Sequence, residues 1–464
     1  MDIQLTGTVY EGEFVSTVYD GACFKYIVYV PQACRGKENC ALLVEHDGAY
    51  IQESWAMEQL AANGEAPDCI TVGVCPAVLP PRVAGGKERG LRMNNYDVNA
   101  GRYPDFLVEE LIPHVIEKYD LRITPSPDMH LIAGGSSGGI SAWNIAWRRN
   151  DYFRRVYMSS PSFLSMGRGE EPIELMRKFE TKPIRVFTEY SENEPDHYFG
   201  SSYVAGQAAE RALRFARYDM EARYYPGEGH CSRWSNAESA VERMRFLWKG
   251  WDTEPVRPGG LSVQADQIIP YGEGWEETDA GFPITGGAAS NGKFTAAGRY
   301  TFSGNTVTFA GENGTQSFSF ENLEDISGLS ISSDKWRMYI GDKRRGCVYA
   351  ASIRPDGSLE GLYLHSTLHM DTEFRYPGAL DLCVDHEDRL YAATELGVQL
   401  VRSFGLIDVI LENPAGKPAE RIAIGEDGYL YARADGTVYR RRLKEKQPAD
   451  MDRQTEPKNT DYGH

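Results

Sequence analysis

Apolar residues in the first half of the chain follow two alternating patterns. Short, nearly continuous apolar runs indicate buried strands, and longer segments with apolar residues every three or four positions indicate amphipathic helices. The predicted strands are residues 24–30, 41–46, 70–74, 129–133, 155–159 and 184–188. The predicted helices are residues 103–119, 139–149, 201–216 and 236–249. Strands that alternate with helices predict the α/β class, with a mostly parallel sheet covered on both faces.

The second half of the chain has a different pattern, in which short alternating strands are separated by turns of glycine, asparagine and aspartate. A weak repeat pairs an acidic turn with an apolar–tyrosine strand, and its tyrosines, Tyr339, Tyr391 and Tyr431, lie 52 and 40 residues apart. Periods of ~40–50 residues are typical of propeller blades, and this region has room for roughly four. The pattern predicts an all-β, propeller-like region, and an irregular stack of antiparallel sheets is the alternative.

The change of pattern divides the chain into two predicted domains. Residues 253–260 are rich in proline, glycine and charge without periodicity, which is typical of a linker. Residues 1–252 are predicted to form the α/β domain and residues 261–443 the β-rich domain. Residues 444–464 are polar and are predicted to be a disordered tail.

The charge and composition of the chain restrict the kinds of molecule that it is expected to bind. The 464 residues carry a formal net charge of −18, which argues against nucleic acid and anionic membranes as partners. No apolar run approaches the ~20 residues of a membrane span, and the N-terminus shows no secretory signal. The eight scattered cysteines are expected to be free thiols, although Cys34 and Cys40 are spaced to close a small loop. The sequence therefore predicts a cytoplasmic protein.

The run Ala-Gly-Gly-Ser-Ser-Gly-Gly at residues 133–139 carries the clearest chemical signal. It lies between a predicted strand and a predicted helix, where a Gly-x-Ser-x-Gly turn exposes a nucleophilic serine and aims the next N–H at an oxyanion. The spacing fits both Ser136 and Ser137 as the nucleophile. A glycine-rich anion-binding turn at a helix N-terminus is the alternative interpretation.

The remaining members of a catalytic triad are expected after the nucleophile, in the order acid and then histidine. His230 lies in a glycine-rich loop before the last predicted helix and is favoured over His197 as the base. Glu192, Glu194 and Asp196 follow the strand at 184–188 and are all candidates for the acid.

A second oxyanion donor is expected from the loop after an early strand. The Asp-Gly-Ala sequence at residues 47–49 occupies that place, so the N–H groups of Gly48 and Ala49 are candidates. An ordinary Asp-Gly turn is the alternative.

Residues 20–250 resemble the putative-esterase family of α/β-hydrolases, which includes enterochelin, feruloyl and acetylxylan esterases and S-formylglutathione hydrolase. The matching stretches are residues 43–48, 103–113, 132–139, 153–163 and 227–230. The resemblance implies Ser136 as nucleophile, with the N–H of Ser137 as an oxyanion donor. It implies Glu194 as the acid, although Ser and Glu replace the family's Gly and Asp, which keeps Asp196 as an alternative.

Residues 260–442 weakly resemble the gluconolactonase- and regucalcin-type propellers, which bind a divalent metal through oxygen ligands. Ser327 stands where that family has asparagine, and Asp381 is displaced by one position from the expected aspartate. The departures imply a metal-free binding or lid domain.

Together these residues predict a serine carboxylic-ester hydrolase that forms an acyl-enzyme and needs no cofactor. The expected substrate is a small-molecule or oligosaccharide ester, of carbohydrate-linked, aromatic or siderophore type. Candidate substrate-binding residues are Trp55, Arg92, Tyr96 and Trp143. The alternatives are a non-catalytic sugar-binding or scaffold protein with a degenerate hydrolase fold, and a C-terminal lactonase.

Overall fold

The computed structural model describes residues 3–444 except residues 20, 284–297, 312–313, 372 and 386. The chain forms two compact units. The first comprises Met1–Arg177 and Thr181–Gly260, and the second comprises Lys178–Glu180 and the described residues from Leu261 onward. The predicted tail at 444–464 lies outside the described residues except for residue 444.

The first unit contains twelve strands and eight α-helices among its described residues. The strands are β1 Thr8–Val15, β2 Cys23–Val30, β3 Ala41–His46, β4 Cys69–Val74, β5 Val78–Leu79, β6 Arg89–Gly90, β7 His130–Gly135, β8 Arg155–Ser159, β9 Arg185–Asn193, β10 Asp196–His197, β11 Gly200–Ser201 and β12 Asp219–Gly229. The helices are α1 Ile51–Ala62, α2 Arg92–Tyr96, α3 Arg102–Phe106, α4 Ile112–Lys118, α5 Ser137–Arg148, α6 Glu171–Lys178, α7 Ser202–Phe215 and α8 Ala237–Leu247. A π-helical turn, Leu107–Leu111, joins α3 to α4, and Gln32–Cys34 and Pro127–Met129 are 3₁₀ turns.

Ten strands of this unit form one sheet. Its order is β12-β9-β8-β7-β3-β4-β2-β5-β6, with β1 paired to β2. The six strands from β12 to β4 are parallel, whereas β1, β2, β5 and β6 join in antiparallel pairs. Every residue of β3 and β4 is buried, as expected for parallel strands covered on both faces. The predicted α/β fold of the N-terminal part is confirmed.

The topology brings five strand ends to one place. Because β3, β7, β8, β9 and β12 are parallel and adjacent, their carboxyl ends lie along the same edge of the sheet. Ligand-binding and catalytic groups of such sheets are found in loops beyond that edge. The segments after these strands are residues 47–50, 136–137, 160–165, 194–195 and 230–236.

The segment predicted as a linker packs against the first unit. The Val256 side chain is buried, its N–H donates to Asp128 Oδ1 at 2.7 Å, and the Gly259 N–H donates to Arg217 O at 2.8 Å. Residues in the middle and near the end of 253–260 are therefore held by hydrogen bonds of their main-chain N–H groups.

The second unit is built almost entirely of strands. They are β13 Glu276–Glu277, β14 Gly298–Ser303, β15 Thr306–Gly311, β16 Gly314–Ser319, β17 Ile326–Ile331, β18 Arg337–Asp342, β19 Cys347–Ile353, β20 Leu359–Thr367, β21 Asp381–Val384, β22 Leu390–Ala393, β23 Val398–Val401, β24 Ile407–Leu411, β25 Arg421–Ile424, β26 Tyr429–Ala434 and β27 Thr437–Arg442. A short helix, α9 Val263–Asp266, and a 3₁₀ turn, Pro414–Gly416, complete its described elements.

These strands pair into four antiparallel sheets. Their orders are β13-β27-β26-β25, β14-β15-β16, β17-β18-β19-β20 and β21-β22-β23-β24. The three repeat tyrosines lie on β18, β22 and β26, the second or third strand of their sheets, and their side chains are buried. The predicted β-rich second region is confirmed, whereas closure into a propeller stays a prediction.

Within the described residues, no helix has both the length and the apolar character that crossing a membrane requires.

Candidate active site

The serine of the predicted elbow lies between β7 and α5 in a strained backbone conformation. Ser136 has φ 55° and ψ −124°, whereas Ser137 is the first residue of α5. A non-glycine residue in such a region costs of order 1–3 kcal/mol and persists only where its surroundings support it. The Ser136 N–H donates to Ser159 O at 2.9 Å, and Ser136 O accepts from the N–H groups of Gly139 and Ser162.

The glycines of the elbow are required by close packing. A Cβ on Gly134 would lie 2.1 Å from Gly138 O, and a Cβ on Gly139 would lie 3.0 Å from Pro161 Cβ. Both distances are shorter than ordinary contacts, so the turn between β7 and α5 can close only without side chains at these positions. The geometry is the tight strand–turn–helix that the Gly-x-Ser-x-Gly pattern predicts.

The Ser136 hydroxyl has a second serine as its neighbour. Ser136 Oγ lies 3.2 Å from Ser162 Oγ, in the loop after β8. Within the described ranges, no hydrogen bond joins Ser136 Oγ to His230. Hydrogen bonds of catalytic groups are often long or misaligned before substrate binds.

His230 lies in the loop after β12 and contacts Glu194, which follows β9. The ring Nδ1 of His230 is hydrogen-bonded to Glu194 Oε2. The Glu194 side chain is fully buried, whereas that of His230 is 30% exposed. A buried carboxylate therefore holds one ring nitrogen of a partly accessible imidazole. This is the orientation that a catalytic histidine requires.

The histidine loop packs directly on the elbow. A Cβ on Gly135 would lie 3.3 Å from Cys231 Sγ and 3.2 Å from a ring atom of Trp234. Cys231 directly follows His230, so His230 lies beside the turn that carries Ser136.

A residue that sequence reasoning missed joins the acid and histidine loops. The Ser160 hydroxyl donates to Glu194 Oε1 and accepts from the Cys231 N–H at 3.1 Å. The Ser191 N–H also donates to Glu194 Oε1, at 3.1 Å. The sequence signals were its position after β8, the strand beside the elbow strand, and its place in the family-like stretch 153–163.

The other acid candidates have different surroundings. Glu192 Oε2 accepts from the Gly227 N–H at 2.7 Å. Asp196 is exposed and lies in the two-residue strand β10, where it pairs with Ser201 of β11. His197, the rival base, is exposed on the same strand and stacks on Phe199. Of the three candidate acids, Glu194 is the one that contacts His230.

The pKa values of His230 and Glu194 shift in opposite directions. Hydrogen bonds from the His230 ring to Cys231 and then to Glu194 raise the pKa of His230 to about 10, against the opposing effect of burial. Burial by itself would raise the pKa of Glu194, but hydrogen bonds from His230, Ser160 and Ser191 together lower it. The pair therefore favours imidazolium beside carboxylate, as an orienting acid does.

The predicted oxyanion donors lie on two adjacent segments. The Ser137 N–H is the first of α5, where backbone N–H groups have no partner within the helix. Asp47, Gly48 and Ala49 follow β3, and a Cβ on Gly138 would lie 3.3 Å from Asp47 Oδ2. The loop after β3 thus contacts the N-terminal turn of α5.

The four predicted substrate-binding residues have mixed environments. Tyr96 and Trp143 are 1% and 2% exposed. Trp143 packs edge-on against Tyr218, and the Tyr96 hydroxyl donates to Val74 O at 3.2 Å. Their burial favours packing roles instead of contact with substrate.

The other two candidates reach further towards solvent. Trp55 is half-buried and packs against the main core of the unit. Arg92 is 40% exposed and forms an ion pair with Asp47. Sequence reasoning treated Arg92 as a candidate substrate-binding residue and did not identify this partner.

A buried ionic cluster around Arg243 holds the segment that follows His230. Arg243 is fully buried and bonds Glu53, and its Nη1 lies 3.9 Å from Glu189 Oε1. Arg243 also donates to the main-chain oxygens of Arg233 and Trp234, at 3.2 and 2.9 Å. These bonds hold the segment that follows His230.

The second unit places the predicted metal-site residues in ordinary structural contacts. Asp381 is buried, and its Oδ2 accepts from Arg421 Nε and the Ile422 N–H, both at 3.0 Å. The Ser327 hydroxyl donates to Ala379 O. No group of three or more His, Cys, Asp or Glu side chains among the described residues is arranged to hold a metal ion.

Comparison with known structures finds several esterases. A ferulic acid esterase aligns with 52% of this chain and 98% of its own, at 19% identity and a TM-score of 0.39. The enterobactin esterase FES from Shigella flexneri aligns over 52% of this chain and 59% of its own, at 17% identity and a TM-score of 0.40. An IroE-like serine hydrolase from Shewanella oneidensis aligns over 52% and 80%, at 18% identity and a TM-score of 0.39. At these identities and TM-scores, the structural similarities do not indicate a substrate for this chain.

A search of curated proteins gave no match to this chain. A protein-family comparison matches residues 21–197 to the family described as Putative esterase. The match ends between Glu194 and His230, so it contains Ser136 and the acid loop. Residues 21–197 thus carry the Putative esterase family match that the sequence resemblance predicted.

Proposed function

We propose that the first unit is a serine carboxylic-ester hydrolase in which Ser136, His230 and Glu194 form the triad. The family match indicates an ester hydrolase. The observation that carries the finer assignment is the buried Glu194 bonded to His230 Nδ1, on a loop packed against the strained Ser136 turn. Nucleophile, base and orienting acid are the parts that acyl transfer requires.

The proposed reaction begins when Ser136 Oγ attacks the ester carbonyl while His230 Nε2 takes the serine proton. The N–H groups of Ser137 and of Gly48 or Ala49 stabilise the resulting oxyanion. Collapse of the tetrahedral intermediate breaks the bond to the alcohol, which leaves with the proton from His230. A water molecule then attacks the acyl-Ser136 ester while His230 takes one of its protons. His230 returns that proton to Ser136 Oγ as the second tetrahedral intermediate collapses and the carboxylic acid leaves.

Ser136 is favoured over Ser137 as the nucleophile by its backbone. The positive φ at Ser136 is the conformation that exposes a side chain at a strand-to-helix turn. Ser137 is buried in the first turn of α5, where the Gly-x-Ser-x-Gly geometry would aim its N–H at the oxyanion.

The substrate is proposed to be a small-molecule or oligosaccharide ester. Neutral, activated esters test the reaction without assuming a particular acyl group. The wild-type full chain is expected to hydrolyse p-nitrophenyl acetate and to react covalently with a fluorophosphonate probe. Mass spectrometry of the labelled peptide is expected to place the probe on Ser136.

Ser136→Ala is the matched control for both measurements, since it removes one oxygen atom and is expected to abolish labelling. A wild-type chain that neither turns over the ester nor reacts with the probe would overturn the proposal and favour the non-catalytic alternative. Labelling of Ser137 instead would move the nucleophile by one residue.

A further inference from the structure

The loop that offers the second oxyanion donor has an unusual backbone. Asp47 has φ 63° and Gly48 has φ 111°, so two successive residues occupy the left-handed region. Glycine adopts this region freely, but an aspartate needs support from its surroundings. The Asp47 N–H donates to Val74 O at 2.9 Å, which ties the start of the loop to β4.

The Asp47 side chain is held by a two-bonded ion pair. Arg92 Nε donates to Asp47 Oδ1 at 3.2 Å, and Arg92 Nη2 donates to Asp47 Oδ2 at 2.8 Å. The Arg92 guanidinium also lies 5.3 Å above the ring of Tyr96. The fork of an arginine fixes the direction of a carboxylate as well as its distance.

The loop is confined between two elements of the site. A Cβ on Gly73 of β4 would lie 2.0 Å from Ala49 N, and a Cβ on Gly138 of α5 would lie 3.3 Å from Asp47 Oδ2. A small displacement of Asp47 would therefore move the N–H groups of Gly48 and Ala49 relative to α5.

We propose that Arg92 is a positioning residue that holds Asp47, and through it the N–H groups of Gly48 and Ala49, in place for the oxyanion. The inference rests on the proposed ester hydrolysis. The Nε and Nη2 edge of the guanidinium is occupied by Asp47, which assigns Arg92 to the loop, and binding of an acidic substrate at the other edge is the alternative that the test separates. An oxyanion donor contributes to the transition state much more than to ground-state binding.

The test compares Arg92→Ala and Arg92→Lys with wild type on p-nitrophenyl acetate and on a p-nitrophenyl ester that carries a free carboxylate. Arg92→Ala is expected to lower kcat about 10- to 100-fold on both esters, less than the full loss of one donor, with KM nearly unchanged. Arg92→Lys keeps the charge without the fork and is expected to recover only part of the rate. Arg89→Ala, an exposed arginine on β6, is the matched control and should behave as wild type.

Two kinetic outcomes would overturn the inference. A rise in KM confined to the carboxylate-bearing ester would make Arg92 a substrate-binding residue. An active wild-type chain whose kcat is unchanged by Arg92→Ala would remove the positioning role while leaving the proposed hydrolysis intact. An inactive wild-type chain would overturn the proposed function, and with it any role of Arg92 in the reaction.

A measurement independent of turnover separates these failures. Hydrogen exchange of peptides covering residues 46–50 is expected to be faster in Arg92→Ala than in wild type and in Arg89→Ala. Exchange in the Asp47→Asn variant, which tolerates a left-handed φ but lacks the charge, is expected to rise similarly, with no further rise when both changes are combined. Unchanged exchange in Arg92→Ala would overturn the inference whatever the activity of the chain.

Discussion

Glu194 of the first unit and Asp381 of the second are buried carboxylates with different partners. Glu194 contacts an imidazole that is partly exposed, while Asp381 contacts the Arg421 guanidinium and a main-chain N–H. Arginine keeps its proton at all ordinary pH values, whereas histidine gains and loses one near neutrality. Both aspartate–arginine and glutamate–histidine pairs satisfy a buried charge, but only the second can transfer a proton.

The two carboxylates also differ in their titration. Burial raises the pKa of Asp381 to about 6, with Arg421 and backbone N–H groups opposing the rise. The pKa of Glu194 is lowered, because three hydrogen bonds outweigh the effect of burial. Burial of an acidic residue is therefore a poor guide to function unless the chemistry of its partner is considered.

The largest effect is expected at Ser136, the proposed nucleophile. Ser136→Ala should lower kcat by at least about 10⁴-fold, because the covalent pathway is lost. Ser137→Ala should retain most activity, since only the main-chain N–H of Ser137 is used. Initial rates on p-nitrophenyl acetate measure both. The reverse order of effects would show that the wrong serine has been assigned.

The next effect tests Glu194 itself. Glu194→Gln should lower kcat about 10³- to 10⁴-fold, because an amide does not stabilise the imidazolium or select the tautomer in the same way. Asp196→Asn is the matched control, since Asp196 is exposed and lies two residues away. Equal activity of the two variants would remove the distinction drawn between Glu194 and the other acids of its loop.

A smaller effect is expected in the pH dependence. The raised pKa of His230 means that kcat/KM should increase as pH rises above the ordinary value of 6.5, as the neutral base forms. Cys231→Ala and Glu194→Gln each remove a hydrogen bond that raises this pKa, so each should shift the rising limb to lower pH. A profile that does not move in either variant would contradict the assigned causes.

The same shift has a consequence for stability. Because the pKa of His230 is higher in the folded chain, the stabilisation from its pairing is complete below pH 6.5 and is lost as pH rises towards about 10. Unfolding midpoints of wild type and Glu194→Gln should therefore converge at high pH. Unfolding midpoints that diverge as pH rises would contradict the raised pKa of His230.

The smallest effect on hydrolysis is expected from the second unit. Asp381→Asn should leave kcat/KM unchanged and lower the free energy of unfolding by about 1 kcal/mol, since a buried group loses part of its bonding. Glu360→Gln removes an exposed pair with Arg354 and is the control, with little change expected. A loss of ester hydrolysis in Asp381→Asn would contradict the distinction between Glu194, which is proposed to act in hydrolysis, and Asp381, which is not.

Local sequence signals predicted the part of the site that depends on local structure. The close approach of Gly134 to Gly138 lies within five residues of the chain, so the turn was visible in the sequence. Strands β3, β7 and β8 were visible because their apolar runs are buried on both faces. Strand β12 was missed, since an edge strand with a half-exposed, mixed pattern lacks such a run.

Contacts between distant residues could not be predicted in this way. Arg92 and Asp47 are 45 residues apart, and nothing in either neighbourhood indicates that they form a pair. Trp143 was a candidate for the substrate pocket because aromatic side chains suit such ligands. However, α5 is buried on nearly all its faces, so an aromatic residue on it belongs to the core.

The Ser160 hydroxyl has a consequence for where protons can reside. The Cys231 N–H can only donate and the Glu194 carboxylate accepts, so the hydroxyl hydrogen of Ser160 must point towards Glu194 Oε1. If Glu194 Oε1 carried a proton, that proton would meet the Ser160 O–H, and the hydrogen bond between them would be lost. The direction of these hydrogen bonds therefore favours an ionised Glu194, so a proton taken up during the proposed reaction resides on the imidazole and not on the carboxylate.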